Sequence, residues 1–141
     1  MQSCRLCNFP ENEILIATKL SKAFFPKEPA ATGHIVIAVK SHKPALQDLT
    51  EAEARDLFAL ARKVALITVP FLGLEKYYLA AVGDVDVNFH IHLLPKKDGD
   101  AKIGPYIFGP AGWQSKLAGK ADPALLAKIK SSLKTLNKNG G

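Results

Sequence analysis

Two imidazoles one residue apart are the first feature of this 141-residue chain that could do chemistry. His90 and His92 flank Ile91 in the run Asn88-Phe89-His90-Ile91-His92-Leu93-Leu94-Pro95, and the whole sequence holds only four histidines. Side chains two apart on a strand share a face. Alternation over residues 86–94 therefore predicts Asp86, Asn88, His90 and His92 on one polar side, with Val87, Phe89, Ile91 and Leu93 turned toward a core. Water-facing strand surfaces are usually built from Thr, Lys, Glu or Ser, so an Asn-x-His-x-His set there predicts a site.

Two chemistries use neighbouring imidazoles. Neutral histidines ligate metals, and His34, Asp84 and Asp86 are further donors, although none has a recognisable ligand spacing. Alternatively, one imidazole attacks an electrophile while its neighbour orients it or meets the leaving oxygen. An ordinary histidine is mostly neutral, hence nucleophilic, near pH 7. The spacing favours the nucleophile narrowly, and a metal-dependent hydrolase using His90 and His92 as ligands stays open beside it. The only cysteines, Cys4 and Cys7, form C-x-x-C with no strand before it. That context suits half a zinc site or two ordinary thiols rather than a redox motif or a disulfide.

The elements that must hold these groups follow from periodicity. Residues 13–18 and 22–25 read as a short hairpin, 26–33 as a proline- and glycine-containing loop, and 34–40 as a β-branched strand. Residues 49–69 read as a helix: Thr50 and Glu53 form a capping box, Leu57, Ala61, Val64 and Thr68 share one face, and Gly73 closes the segment. Residues 76–82 and 86–94 are two more strands, with Pro95 ending the second. A last helix spans 122–137, with Asp122 as N-cap, Pro123 at the first helical position, and an apolar stripe of Leu125, Ile129, Leu133 and Leu136. Two long helices on an antiparallel sheet make an α+β domain.

At this length the chain is expected to be one domain, residues 1–141. Of the net charge of +6, residues 115–141 carry +5, from six lysines against Asp122. A lysine-rich helix without interleaved aromatics is a solvated face, so no nucleic-acid partner is expected. The longest apolar run, residues 64–74, is too short to span a bilayer and contains Pro70. The N-terminus has no apolar core of signal-peptide length, which predicts a cytoplasmic protein without a membrane partner.

Over residues 4–100 the chain resembles the histidine triad family of nucleotidyl hydrolases and transferases, particularly its dinucleoside-polyphosphate-hydrolase-like branch. The family signature, His-φ-His-φ-His-φ-φ with φ apolar, appears here as residues 88–94 with Asn88 in place of the first histidine. The C-x-x-C, the proline-containing loop before Gly33-His34 and the turn carrying His42 follow the same layout. The resemblance implies a five-stranded antiparallel sheet with one long central helix and a C-terminal helix, followed through 101–141 by an extension of the signature region. It implies that His90 attacks the α-phosphorus of a dinucleoside polyphosphate or nucleoside phosphoramidate and forms a nucleotidyl-histidine. His92 would then meet the phosphate or leaving-group oxygen, with Asn88, Asp84 and Lys96 (or Lys97) toward the nucleotide and its phosphates.

No cofactor is implied for the chemistry. A structural zinc is implied on Cys4, Cys7 and His42, with its fourth ligand position falling on Asn88. A homodimer is implied as well. The chain departs from the family pattern at Pro26, where a ribose-gripping residue is usual, and at Asp84, Val85 and Asn88, where Gln, a small hydroxyl residue and His are usual. Those departures predict altered substrate choice, and a weakened nucleotide-binding or regulatory module is the alternative reading. His34 is expected to be a structural histidine bonded to backbone, and Trp113 a core or interface aromatic.

Overall fold

The computed structural model describes residues 4–99, 102, 104 and 122–138. Trp113 lies outside the described residues, as does the side chain of Leu136. The β-branched run predicted at 34–40 forms β3 (Ile35–Val39), every residue of which is buried. Around it lie β1 (Ile14–Ala17), β2 (Ser21–Phe24), β4 (Leu74–Ala80) and β5 (His90–Lys97). The strand order is β1-β2-β3-β5-β4, with every neighbouring pair antiparallel. The predicted α+β class and five-stranded sheet are both present.

Cross-strand partners share a face, so pairing assigns the two sides of the sheet. Lys22 pairs with Ala38 and Ala38 with His90; Phe24 pairs with Val36, Val36 with His92, and His92 with Ala80. These residues make the site face. The opposite face, with Ala23, Ile37, Ile91, Ile35 and Leu93, joins the main core.

Two helices cover that core face. In α1 (Glu51–Leu72), the Glu53 N–H donates to Thr50 Oγ1 at 3.1 Å and the Thr50 N–H to Glu53 Oε2 at 2.9 Å, the capping box predicted from sequence. Leu57, Ala61, Val64 and Thr68 are buried, as their spacing predicts, together with Leu60. In α2 (Pro123–Lys138), Ile129 and Leu133 are fully buried and Leu125 packs against the core. The Ala124 N–H donates to Asp122 Oδ1 at 3.0 Å, so Asp122 does cap this helix.

Two boundaries differ from expectation because a proline proved tolerable. Helix α1 runs three residues beyond 69, through Pro70. Proline removes the bond to the carbonyl four residues earlier; that residue is Leu66, on the exposed side, where water can replace the partner. Gly73 then ends the helix in the left-handed region, at φ 65°. Strand β5 begins at His90, four residues late, and continues past Pro95 to Lys97. Pairing with β3 ends at Leu93, so Pro95 has a strand neighbour on one side only, facing Tyr77 on β4. Residues 86–89 therefore lie outside the alternation: Val87 is exposed instead of packed on the helix, and Asn88 is fully buried.

Gly33 sits immediately before His34 at φ 97°. A Cβ there would lie 2.5 Å from Leu72 Cδ1, and its carbonyl accepts from Tyr77 Oη at 3.0 Å. Gly33→Ala is expected to lower unfolding free energy by about 1–3 kcal/mol, from left-handed strain plus the clash. Urea denaturation showing an unchanged midpoint would contradict that reading.

Candidate active site on the open face of the sheet

Strand β5 brings His90 and His92 side by side, as their spacing predicts, with ring centroids 5.0 Å apart and the rings nearly edge to face. Their protonation is set by different backbone groups. His90 Nδ1 lies 2.7 Å from the Asn88 carbonyl oxygen. A carbonyl only accepts, so Nδ1 carries the proton and the lone pair of the neutral ring is on Nε2. His90 is nearly buried, at 7% exposure.

His92 is wired the opposite way, through His34. The Ala30 N–H donates to His34 Nδ1 at 3.0 Å, so that nitrogen holds a lone pair. His34 is buried, and burial followed by the neighbouring His92 pulls its pKa down to about 3. The neutral ring therefore carries its proton on Nε2, which lies 3.0 Å from His92 Nδ1 and donates to it. Burial, then the neighbouring His90, lowers His92 to about 4. His92 is thus neutral with Nδ1 accepting, which leaves its proton on Nε2. The site therefore presents one imidazole with a lone pair on Nε2 and another with a proton on Nε2.

His34 is the residue that sequence reasoning undervalued. Its expected backbone bond exists, but its second nitrogen makes it part of the site. The signal was its position at the head of a strand; what was missing was the pairing of that strand with β5, since the two histidines are 58 residues apart.

Other expected contacts fall elsewhere. Asn88 is turned inward rather than toward the open face: its Oδ1 accepts from the Lys43 N–H at 2.6 Å and its Nδ2 donates to the Val39 carbonyl at 2.9 Å. Both ends of the amide are used by backbone, so Asn88 ties the turn after β3 to the start of β5. Lys96 is four residues past His92, roughly 13 Å along the strand, and is buried against Glu75 in an ion pair. Lys97 is exposed at the strand end. Asp84 and Val85 are both exposed on the 81–89 connection, Val85 at 89%. Pro26 is half-buried just after β2. Asp86 is held by Arg5, whose Nε lies 3.1 Å from Oδ1 and whose terminal nitrogen meets Oδ2.

A cavity of about 210 Å³ adjoins His90. It is lined by residues 44–46, residues 81–83, Phe89 and His90.

The cysteines do come together with the third predicted donor. One ligand atom each from Cys4, Cys7 and His42 lies within 4.8 Å of the others, and Cys7 Sγ is 3.2 Å from His42 Nδ1. Two sulfurs and an imidazole are a fitting donor set for three corners of a zinc tetrahedron. The fourth predicted position, Asn88, is committed to backbone and does not join them. The segment carrying the cysteines packs on the site face through Leu6 against Phe24, Val36 and Ala38, and Phe9 stacks on Phe24 at 4.0 Å. His90 keeps a lone pair on Nε2 for a metal, but His92 spends its Nδ1 lone pair on His34 and carries a proton on Nε2, which disfavours using the two rings as one chelating pair.

Fold and site together define an α+β domain that offers two oppositely protonated histidines from the centre of an antiparallel sheet. Residues 10–99 match the HIT domain family, and the chain belongs to that family. It is 33% identical over 138 residues to adenosine 5'-monophosphoramidase HNT1 of Saccharomyces cerevisiae, covering 92% of this chain and 85% of that protein. It is 33% identical over 104 residues to the nitrilase and fragile histidine triad fusion protein NitFhit of Caenorhabditis elegans, covering 66% of this chain but 22% of that protein. Identity to the asymmetrical bis(5'-nucleosyl)-tetraphosphatase of Schizosaccharomyces pombe is 29%, over 63% of this chain and 52% of that one. This chain thus spans about half or less of two of these relatives. Among solved structures, a Zn-bound histidine triad family protein from Mycobacterium smegmatis superposes with a TM-score of 0.72 at 17% identity, covering 97% of each chain, which speaks to the fold.

Both depressed histidines predict acid sensitivity. In the unfolded chain His34 and His92 take up protons near pH 6.5, but in the folded chain only near pH 3 and pH 4. Between those limits the unfolded state binds more protons, so stability should fall as pH falls from about 6.5 toward 4. Denaturation midpoints measured across that window should show the decline, and His34→Gln should flatten it. An equally steep decline in His34→Gln would remove His34 from this role.

Proposed function

We propose that this protein is a nucleotidyl hydrolase or transferase that works through a covalent intermediate on His90. The nucleophilic Nε2 of His90 attacks the α-phosphorus of a dinucleoside polyphosphate or nucleoside phosphoramidate. A P–N bond to histidine forms, the bond to the leaving oxygen or nitrogen breaks, and His92 Nε2–H supplies a proton to the departing atom. Water or another acceptor then attacks the same phosphorus and passes its proton to His92 Nε2 as the P–N bond breaks, which releases the nucleotide, restores the His90 lone pair and returns His92 to its starting state. Splitting one displacement into two lowers each barrier. The opposite protonation of His90 and His92 carries this reading, and the relatives named as a phosphoramidase and a tetraphosphatase support the reaction class. The chemistry itself calls for no cofactor.

Intact-protein mass spectrometry after mixing with nucleotidyl substrates should show a mass gain of one nucleotide that maps to His90. His90→Ala should lose it, with turnover reduced by at least about 10³-fold. Undiminished turnover in that variant would sink the nucleophile. A weakened nucleotide-binding module is the second reading, favoured by the exposed carboxylate of Asp84 on the connection beside His90. It would show nucleotide binding by calorimetry with no adduct and no turnover.

Structural zinc on Cys4, Cys7 and His42 belongs to this proposal, with its fourth ligand supplied by water or by a group outside the described residues. The thiols differ before metal arrives. Burial raises both, yet hydrogen bonds from Cys7 and Leu6 bring Cys4 below its ordinary value, while burial and Cys4 push Cys7 up to about 11. A second copy of the chain is the expected partner, supported by the edge position of β4 and its exposed Leu79, and by Phe58, Leu66 and Phe71 exposed on α1. A cytoplasmic location suits the two free thiols. Among the described residues no helix is long and apolar enough to cross a membrane. Native mass spectrometry should find two chains carrying one zinc each; a metal-free single chain would overturn both expectations.

A further inference from the structure

We propose that the metal centre on Cys4, Cys7 and His42 is an open one, whose fourth coordination position takes an external thiolate supplied by a small thiol. This rests on the zinc reading above and names the ligand class that reading left open.

The inference starts from the donors of the whole chain. Structural zinc sites are closed by four nitrogen or sulfur ligands, whereas three protein ligands leave a position for a ligand from solution. The sequence has two cysteines and four histidines, and residues 1–3, 100–121 and 139–141 hold none of them. Every thiol and imidazole of the chain therefore has a described place. Cys4, Cys7 and His42 bring their ligand atoms within 4.8 Å of one another, and no other His, Cys, Asp or Glu joins them among the described residues. His34 and His92 are bonded to each other, and His90 lies against the Asn88 carbonyl. Asn88 spends both ends of its amide on Lys43 and Val39. Asp86 is held at both oxygens by Arg5.

The surroundings choose the chemistry of the fourth ligand. His42 is exposed and both cysteines are half-buried, so a small molecule can reach them from solvent. Zinc with two thiolates and a neutral imidazole carries no net charge, and an anionic fourth ligand makes the centre negative. Lys22 supplies the matching cation. It is 4% exposed, and its Nζ donates to the carbonyl of Leu6, between the two cysteines. Burial lowers its pKa, while Cys7 and Cys4 act in the opposite direction. A centre with two soft sulfurs suits a third, and three sulfurs with one imidazole are an ordinary zinc set. On binding, the S–H proton of the thiol passes to solvent and its sulfur displaces the water at the fourth position.

The test loads the full chain with cobalt(II) and titrates 2-mercaptoethanol, reading the thiolate-to-cobalt band in the near ultraviolet. That absorbance should rise by about one half, as two thiolate ligands become three, and should saturate. Lys22→Met keeps the length of the side chain and removes its charge, so it should need at least about tenfold more thiol to saturate. Asp86→Asn should leave the starting spectrum unchanged. A spectrum indifferent to the thiol, cobalt carried off by it, or a Lys22→Met curve that overlays the original would overturn the inference. A starting spectrum altered by Asp86→Asn would give the fourth position to that carboxylate and overturn it as well. In each of these cases retention of one metal ion per chain would show that the zinc reading still stands. A chain that retains neither cobalt nor zinc would overturn both together.

Discussion

The arrangement at the site depends on one backbone amide. The Ala30 N–H, donating to His34 Nδ1, forces the proton of that buried ring onto Nε2, and from there onto the correct side of His92. With the His34 proton on Nδ1 instead, His92 would have to donate from Nδ1 to His34 Nε2, and its own Nε2 would carry a lone pair rather than a proton. The amide is held by its surroundings. Gly33 turns the chain in a conformation that L side chains resist, its carbonyl accepts from Tyr77 Oη, and Tyr77 in turn accepts from the Thr68 hydroxyl on α1. A loop next to a strand thereby becomes as well defined as the core beneath it.

His90 depends on a shorter version of the same device, the carbonyl of Asn88 two residues before it. That carbonyl is fixed because the Asn88 amide is bonded at both ends to the turn after β3 and to β3 itself. A position that the signature would fill with an ionisable ring is occupied here by a neutral clamp. The N-terminal segment adds a second tie, through Arg5 to Asp86 and Cys7 to His42, and covers the part of the site face that β5 leaves open.

Much of this was legible in the sequence where local physics decides. The capping box at Thr50, the buried face of α1, the pairing of the first two strands and the shared face of His90 and His92 all follow from spacing alone. Asn88 was misplaced because alternation was extended four residues before β5 begins; an irregular approach to a strand leaves no period-two signature. Pro95 reads as a stop in the sequence, since sequence cannot say which side of an element has lost its hydrogen-bonding neighbour. Lys96 was assigned to phosphate because its partner, Glu75, lies on β4, and cross-strand pairing is set by register rather than by proximity in sequence. The part played by His34 was hidden for the same reason.

Both histidine rings ride on β5, which is flanked from His90 to Leu93 by β3, and His92 is paired on its other side with β4. Segments bonded on both sides are among the last to exchange their amide hydrogens, since they open only when the whole sheet does. His92 therefore gains no freedom from fraying or loop motion, and His90, at the start of the strand, is held by β3 on one side and by its bond to the Asn88 carbonyl. Such a site is ready before its ligand arrives, so whatever movement turnover requires falls to the connections around it.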